Sequence, residues 1–146
     1  MKTKININAE LEHDDLVNLF SAALYDNPAF DCTYTNESKD KVYTTGDCYE
    51  DVIAKILLNG GVVYVADAYS ETDEDVYGDN KRVYWDEFHG CMVYPITLQE
   101  VVAGLELASS KGEARKVMKL LNDDFTFDMI DANVLMQYIC FGELIY

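Results

Sequence analysis

At 146 residues the chain suits one domain that buries roughly two-thirds of its unfolded surface, and its 49% hydrophobic content excludes an acidic disordered tail. Twenty-seven acids against eleven bases give a formal charge of −16, a field that repels nucleic-acid phosphates and anionic lipid headgroups and attracts basic protein surfaces. No run approaches the roughly 18 apolar residues of a membrane span, so no membrane partner is expected.

Thr3, Ile5, Ile7 and Ala9 alternate with Lys4, Asn6 and Asn8, a period of two that predicts a strand. Two lysines stand near the start with no apolar stretch behind them, so no secretory leader is expected and a cytoplasmic location is. The four cysteines, Cys32, Cys48, Cys91 and Cys140, are widely spaced without a C-x-x-C pair and are expected as reduced thiols. A helix is predicted from near Asp14, with Leu16, Phe20, Ala23 and Leu24 as its apolar stripe and Asn27-Pro28 as its stop. Glu10, Glu12, Asp14 and Asp15 crowd its positive end.

A short strand is predicted over Asp31 to Thr35, followed by a loop to Gly46. Asp47 and Glu50 have the spacing of a capping box. Tyr49, Val52, Ile53, Ile56 and Leu57 then form a helical face that Asn59-Gly60-Gly61 closes. Val62 to Ala66 reads as a buried strand. Beyond it come Asp67, Glu71, Asp73, Glu74, Asp75 and Asp79 without one basic residue, and Tyr69 and Tyr77 lie among them. Arg82 to Trp85 and Cys91 to Ile96 are two further predicted strands.

Thr97 and Glu100 form a second capping box, opening a helix with Leu98, Val101, Val102 and Leu105 inward. Gly112 separates it from another with Ala114, Val117, Met118 and Leu121 inward, beside Lys111, Arg115, Lys116 and Lys119. A last helix starts near Asp128, carries Ile130, Val134, Leu135, Tyr138 and Ile139 on one side, and ends at Gly142; Glu143 to Tyr146 reads as a short terminal strand. The expected architecture is one α+β domain over residues 1–146, about five helices packed on a small, mostly antiparallel sheet.

Several chemistries fail on spacing. A calcium loop starting at Asp73 would find Asp75 at its third position and Gly78 at its sixth, but Tyr77 and Tyr84 where oxygen ligands belong. Zinc has only His89 beside Cys91, with His13 far away. The same pair, with Asp86 or Glu87 orienting the imidazole, could build a cysteine nucleophile. Yet a cysteine heading an apolar strand is more often core than catalyst. Gly60-Gly61 precedes a strand and not a helix, so it is no phosphate loop. No catalytic residue, metal or cofactor is expected, and the lysine-rich helix is read as a solvated face.

The carboxylates recur as clusters: Glu10 to Asp15, Asp47 to Asp51, Asp67 to Asp79, Asp86-Glu87 and Asp123 to Asp131. In size, acidity and lack of a catalytic signature the chain resembles the small anti-defence proteins of phages and mobile elements, the anti-CRISPR and anti-restriction DNA mimics. That resemblance implies a non-enzymatic inhibitor that imitates a phosphate row and occupies the groove of a basic, nucleic-acid-binding protein without itself binding nucleic acid. The contact is expected at Asp67, Tyr69, Glu71, Asp73, Glu74, Asp75, Tyr77 and Asp79, the tyrosines supplying area and the acids steering. The alternative is an accessory protein-binding domain that docks through an apolar helix face, its acidity serving only solubility.

Overall fold

The computed structural model describes residues 11–25, 27–77 and 82–146. Strands β1 (Phe30–Thr33), β2 (Val63–Asp67), β3 (Tyr84–Asp86) and β4 (Cys91–Ile96) form one antiparallel sheet in the order β1-β2-β4-β3. The helices are α1 (His13–Leu24), the short α2 (Asn36–Asp40), α3 (Tyr49–Leu58), α4 (Leu98–Ala108), α5 (Ala114–Leu121) and α6 (Met129–Phe141). The expected α+β architecture stands. The predicted strand over Thr3–Ala9, and Asp79 of the acidic segment, lie outside the described residues.

The apolar stripes close one core. Leu16, Leu19, Phe20 and Ala23 of α1 meet Val52, Ile53, Ile56 and Leu57 of α3 and Ala132, Leu135, Met136 and Ile139 of α6. Central strand β4 is buried at all six positions, which is why Cys91-Met92-Val93-Tyr94-Pro95-Ile96 is continuously apolar or aromatic. Helices α4 and α6 cross closely because Gly104 has no side chain. A Cβ there would lie 2.4 Å from the Ile139 Cα, so the crossing admits only glycine without displacement. Gly142 ends α6 in the left-handed region at φ +76°, as expected of its position.

Four capping boxes, at α1, α3, α4 and α6, absorb many carboxylates into secondary structure. Thr97 and Glu100 pair as expected, the Thr97 N–H donating to Glu100 Oε2 at 2.9 Å. The box at α3 is displaced by one residue. Cys48 takes the cap position and its N–H donates to Asp51 Oδ2 at 3.1 Å, while Asp47 accepts from Lys55 Nζ at 2.6 Å and from the Thr44 N–H at 2.9 Å. Asp47 therefore ties the preceding turn to the helix flank instead of capping it.

Other local expectations change. The predicted loop after β1 contains α2, whose start is capped by Thr35 Oγ1 accepting from the Ser38 N–H at 3.1 Å. On α5 Val117 is buried and Leu121 packs half-buried against the core as expected, but Leu120 is buried with them and Met118 is exposed. The left-handed Gly112, φ +94°, resets the helix phase between α4 and α5. Ile130 of α6 is exposed, immediately before the buried Asp131 and Ala132. Residues 143–146 are not a strand: Gln137 Oε1 accepts from the Ile145 and Tyr146 N–H groups, each at 2.8 Å, so a side chain takes the place of a neighbouring strand.

Candidate functional site

The acidic segment begins one residue too early to be wholly surface. In β2 the inward positions are Val63, Val65 and Asp67, spaced by two, so Asp67 follows the pleat into the core and is 0% exposed. This corrects the expectation that it contacts a partner. Its Oδ1 accepts from the Tyr69 N–H at 3.0 Å and its Oδ2 accepts the Tyr146 hydroxyl at 2.7 Å. Burial pushes its carboxyl above the ordinary 3.8, and those two hydrogen bonds partly offset the shift.

Asp67 is thus the post on which the loop turns. Beside it, Ser70 Oγ donates to the Asp67 carbonyl at 2.6 Å and accepts from the Met92 N–H at 2.8 Å, fastening the loop to β4. At the far end the Tyr77 N–H donates to Tyr94 Oη at 3.1 Å. Between these pins Asp75 Oδ2 accepts from the Glu71 and Thr72 N–H groups at 2.7 and 3.2 Å, which makes Asp75 a turn-former.

Glu71, Asp73 and Glu74 are left exposed, and none of them forms an ion pair among the described residues. Tyr69, 48% exposed, lies edge-on to Tyr146, 46% exposed, with ring centroids 5.2 Å apart. Tyr146 and Tyr77 both rest against Phe141, so an aromatic cluster underlies the acidic turn. Tyr77 is half-buried, and burial, followed by the Asp75, Asp67 and Glu143 carboxylates, raises its phenol pKa. Tyr146 and Glu143 are the members of this surface that the sequence pattern did not reveal. Tyr146 lies 79 positions from Asp67, and its signal was only an aromatic residue in a short apolar tail.

Many members of the remaining acid clusters have structural employment. Asp15 Oδ2 accepts from the Glu12 N–H at 2.8 Å in the capping box of α1, and Asn18 donates to Asp123 Oδ1 at 2.9 Å. His13 Nε2 contacts Asp51 Oδ1 at 2.9 Å, and that contact, with the Cys48 hydrogen bonds, holds the Asp51 carboxyl down at about 2. The first, second and last clusters thus meet around α1, α3 and the turn after α5.

His89 Nδ1 contacts Asp86 Oδ2 at 2.7 Å in the turn between β3 and β4. Cys91 is 7% exposed, and burial pushes its thiol up, further raised by Asp86, Asp67 and Asp31. A thiol so placed is poorly disposed to attack a substrate. All four cysteines are free. Among the described residues no group of three or more His, Cys, Asp and Glu side chains could hold a metal ion, and no helix is long and apolar enough to cross a membrane. No protein-family model, curated protein or solved structure matches the chain.

Proposed function

We propose that the chain is a non-enzymatic acidic interaction protein. In this reading it binds a basic, nucleic-acid-binding protein of the CRISPR-effector or restriction type and blocks that protein's access to DNA or RNA as a nucleic-acid mimic. The observation that carries the reading is what remains when the structurally employed carboxylates are set aside. Capping boxes, salt bridges and turns account for Asp15, Asp47, Asp51, Asp75, Glu100 and Asp131. They do not account for Glu71, Asp73 and Glu74, which project beside an exposed tyrosine pair from a loop fastened at both ends.

Holding like charges together on a pinned loop does nothing for folding, since neighbouring carboxylates repel. It does suit a contact that must arrive quickly and in one orientation. The tyrosines add rigid contact area, which charge alone lacks. The steering acids are Glu71, Asp73 and Glu74; Tyr69 and Tyr77 provide the aromatic face, and Asp67 supports it from inside.

The test is recovery of host proteins on the immobilised full chain beside the variant Glu71→Gln, Asp73→Asn, Glu74→Gln, at low and moderate salt. Asp75 is spared because its carboxylate holds the turn. The expected result is a nucleic-acid-binding protein retained by the wild type, displaced by duplex DNA and lost from the variant. Recovery of the same proteins by both forms would overturn the reading.

A second reading rests on Phe125, 97% exposed, and on exposed Ile130 and Met118, which fit an accessory domain docking through apolar contacts at α5 and α6. Its complex would hold through a rise in salt that dissolves an electrostatic one.

A further inference from the structure

A groove of about 900 Å³ lies between α4 and α6, beside the end of the acidic loop. Ala103, Leu107 and Ile139 give it an apolar floor, and Val76 and Tyr77 bring the loop to its edge. Two charged features line it. Arg82 Nη2 contacts Glu100 Oε1 at 2.7 Å, so that cation is balanced where it stands. Glu143 is exposed and forms no ion pair among the described residues. Glu143 stands at the same edge of the groove as Val76 and Tyr77.

The groove therefore joins an apolar floor to an edge whose Glu143 carboxylate has no ion-pair partner among the described residues, and its volume falls at the upper end of ligand-pocket sizes, roughly 300–1,000 Å³. We propose that it seats an amphipathic, lysine- or arginine-bearing segment of the partner protein, apolar side chains on Ala103, Leu107 and Ile139 and cations toward Glu143. The proposal rests on the reading of the partner as a basic protein and adds an anchor to it. Charge complementarity selects this occupant. An acidic segment would meet Glu143 and the loop head-on, and a second copy would bring its own charge of −16. Contact would then have two parts: the loop brings the partner in, and the groove, where desolvated apolar contact is made, slows its departure.

The probe is a synthetic amphipathic helix of leucine and lysine, titrated into the full chain by fluorescence anisotropy. Two comparison peptides exchange every leucine for serine or every lysine for glutamate. Ala103→Lys, at an exposed position of α4, plugs the groove, and Ala103→Gln repeats the plug without charge and serves if the first variant misfolds by circular dichroism. The expected result is binding of the leucine–lysine peptide that falls at least about tenfold with either comparison peptide and with either plug. Undiminished binding to both plugged variants, or equal binding of the serine–lysine peptide, would overturn the groove while leaving the acidic loop's role standing. Equal binding of the leucine–glutamate peptide would overturn the basic-partner reading as well.

Discussion

Replacing Tyr146 by Phe removes one hydroxyl and leaves the ring contacts with Tyr69 and Phe141 in place. The hydroxyl donates to Asp67, which has no exposed surface of its own and whose other oxygen already accepts from the Tyr69 N–H. A hydrogen bond to a charged group is worth about 1.5–3 kcal/mol, and water can reach the half-exposed Tyr146 edge, so the cost at pH 7 should lie near the lower figure, about 1.5 kcal/mol. The pH dependence follows from Asp67, whose folded pKa is raised above 3.8 by burial. The folded state then holds more proton than the unfolded chain in the interval between the two pKa values. The contribution of Asp67 to stability is thus fully present below the unfolded value and is lost as pH rises through the folded one. Removing the donor raises the folded pKa further and carries that loss to higher pH. Tyr146→Phe should therefore cost more at pH 7 than at a pH below 3.8, where a protonated Asp67 no longer needs the hydroxyl. Urea unfolding of both forms at the two pH values measures this, and in an Asp67→Asn background the pH dependence of the cost should vanish. A cost below about 0.5 kcal/mol at pH 7, or one equal at both pH values, would refute the reasoning.

Gly104→Ala forces the α4–α6 crossing apart, because the new methyl meets Ile139 backbone and not the tip of a flexible side chain; a loss of about 1–3 kcal/mol in urea unfolding is expected. Asp128→Ala removes the cap of α6, whose carboxylate accepts from the Asp131 N–H at 2.9 Å, and should cost roughly 0.5–2 kcal/mol by the same measurement.

The sequence was most legible where one period ran long enough to count. Helix α3 repeats its apolar positions at 3.6-residue spacing between a start signal and Gly60, and Val52, Ile53, Ile56 and Leu57 of the expected face are buried while Tyr49 is exposed. Its cap was misread because two overlapping patterns compete: Asp47 with Glu50, and Cys48 with Asp51. Cysteine is a rare cap, so side-chain preference pointed to the wrong frame. Helix α5 is only eight residues long, so two apolar frames fit it, and the frame Ala114, Val117, Met118, Leu121 puts Met118 inward where the helix buries Val117 and Leu120. The acidic loop was visible as composition, whereas its supports were not. Asp67 did carry a signal, since counting by two from Val63 and Val65 leads inward. Residue type outweighed that count, because a carboxylate is rarely buried without a partner. The partner is Tyr146, and a contact across 79 positions leaves no local periodicity to read.

Salt separates the two roles of the carboxylates by the sign of its effect. With a net charge of −16 the folded chain repels itself, and so does the acidic loop. The Debye length falls from about 10 Å at 0.1 M to about 3 Å at 1 M, so added sodium chloride should relieve repulsion between clusters while leaving the buried Asp67–Tyr146 bond nearly unscreened. Stability in thermal unfolding should therefore rise with salt. Binding of a basic partner should fall over the same range, because the attraction being screened is the one that assembles the complex. Acidity kept only for solubility predicts the first response without the second. A complex whose affinity holds while the melting temperature climbs would assign Glu71, Asp73 and Glu74 to solubility alone. Opposite trends, with the binding trend abolished when those three residues are neutralised, would assign them to the contact.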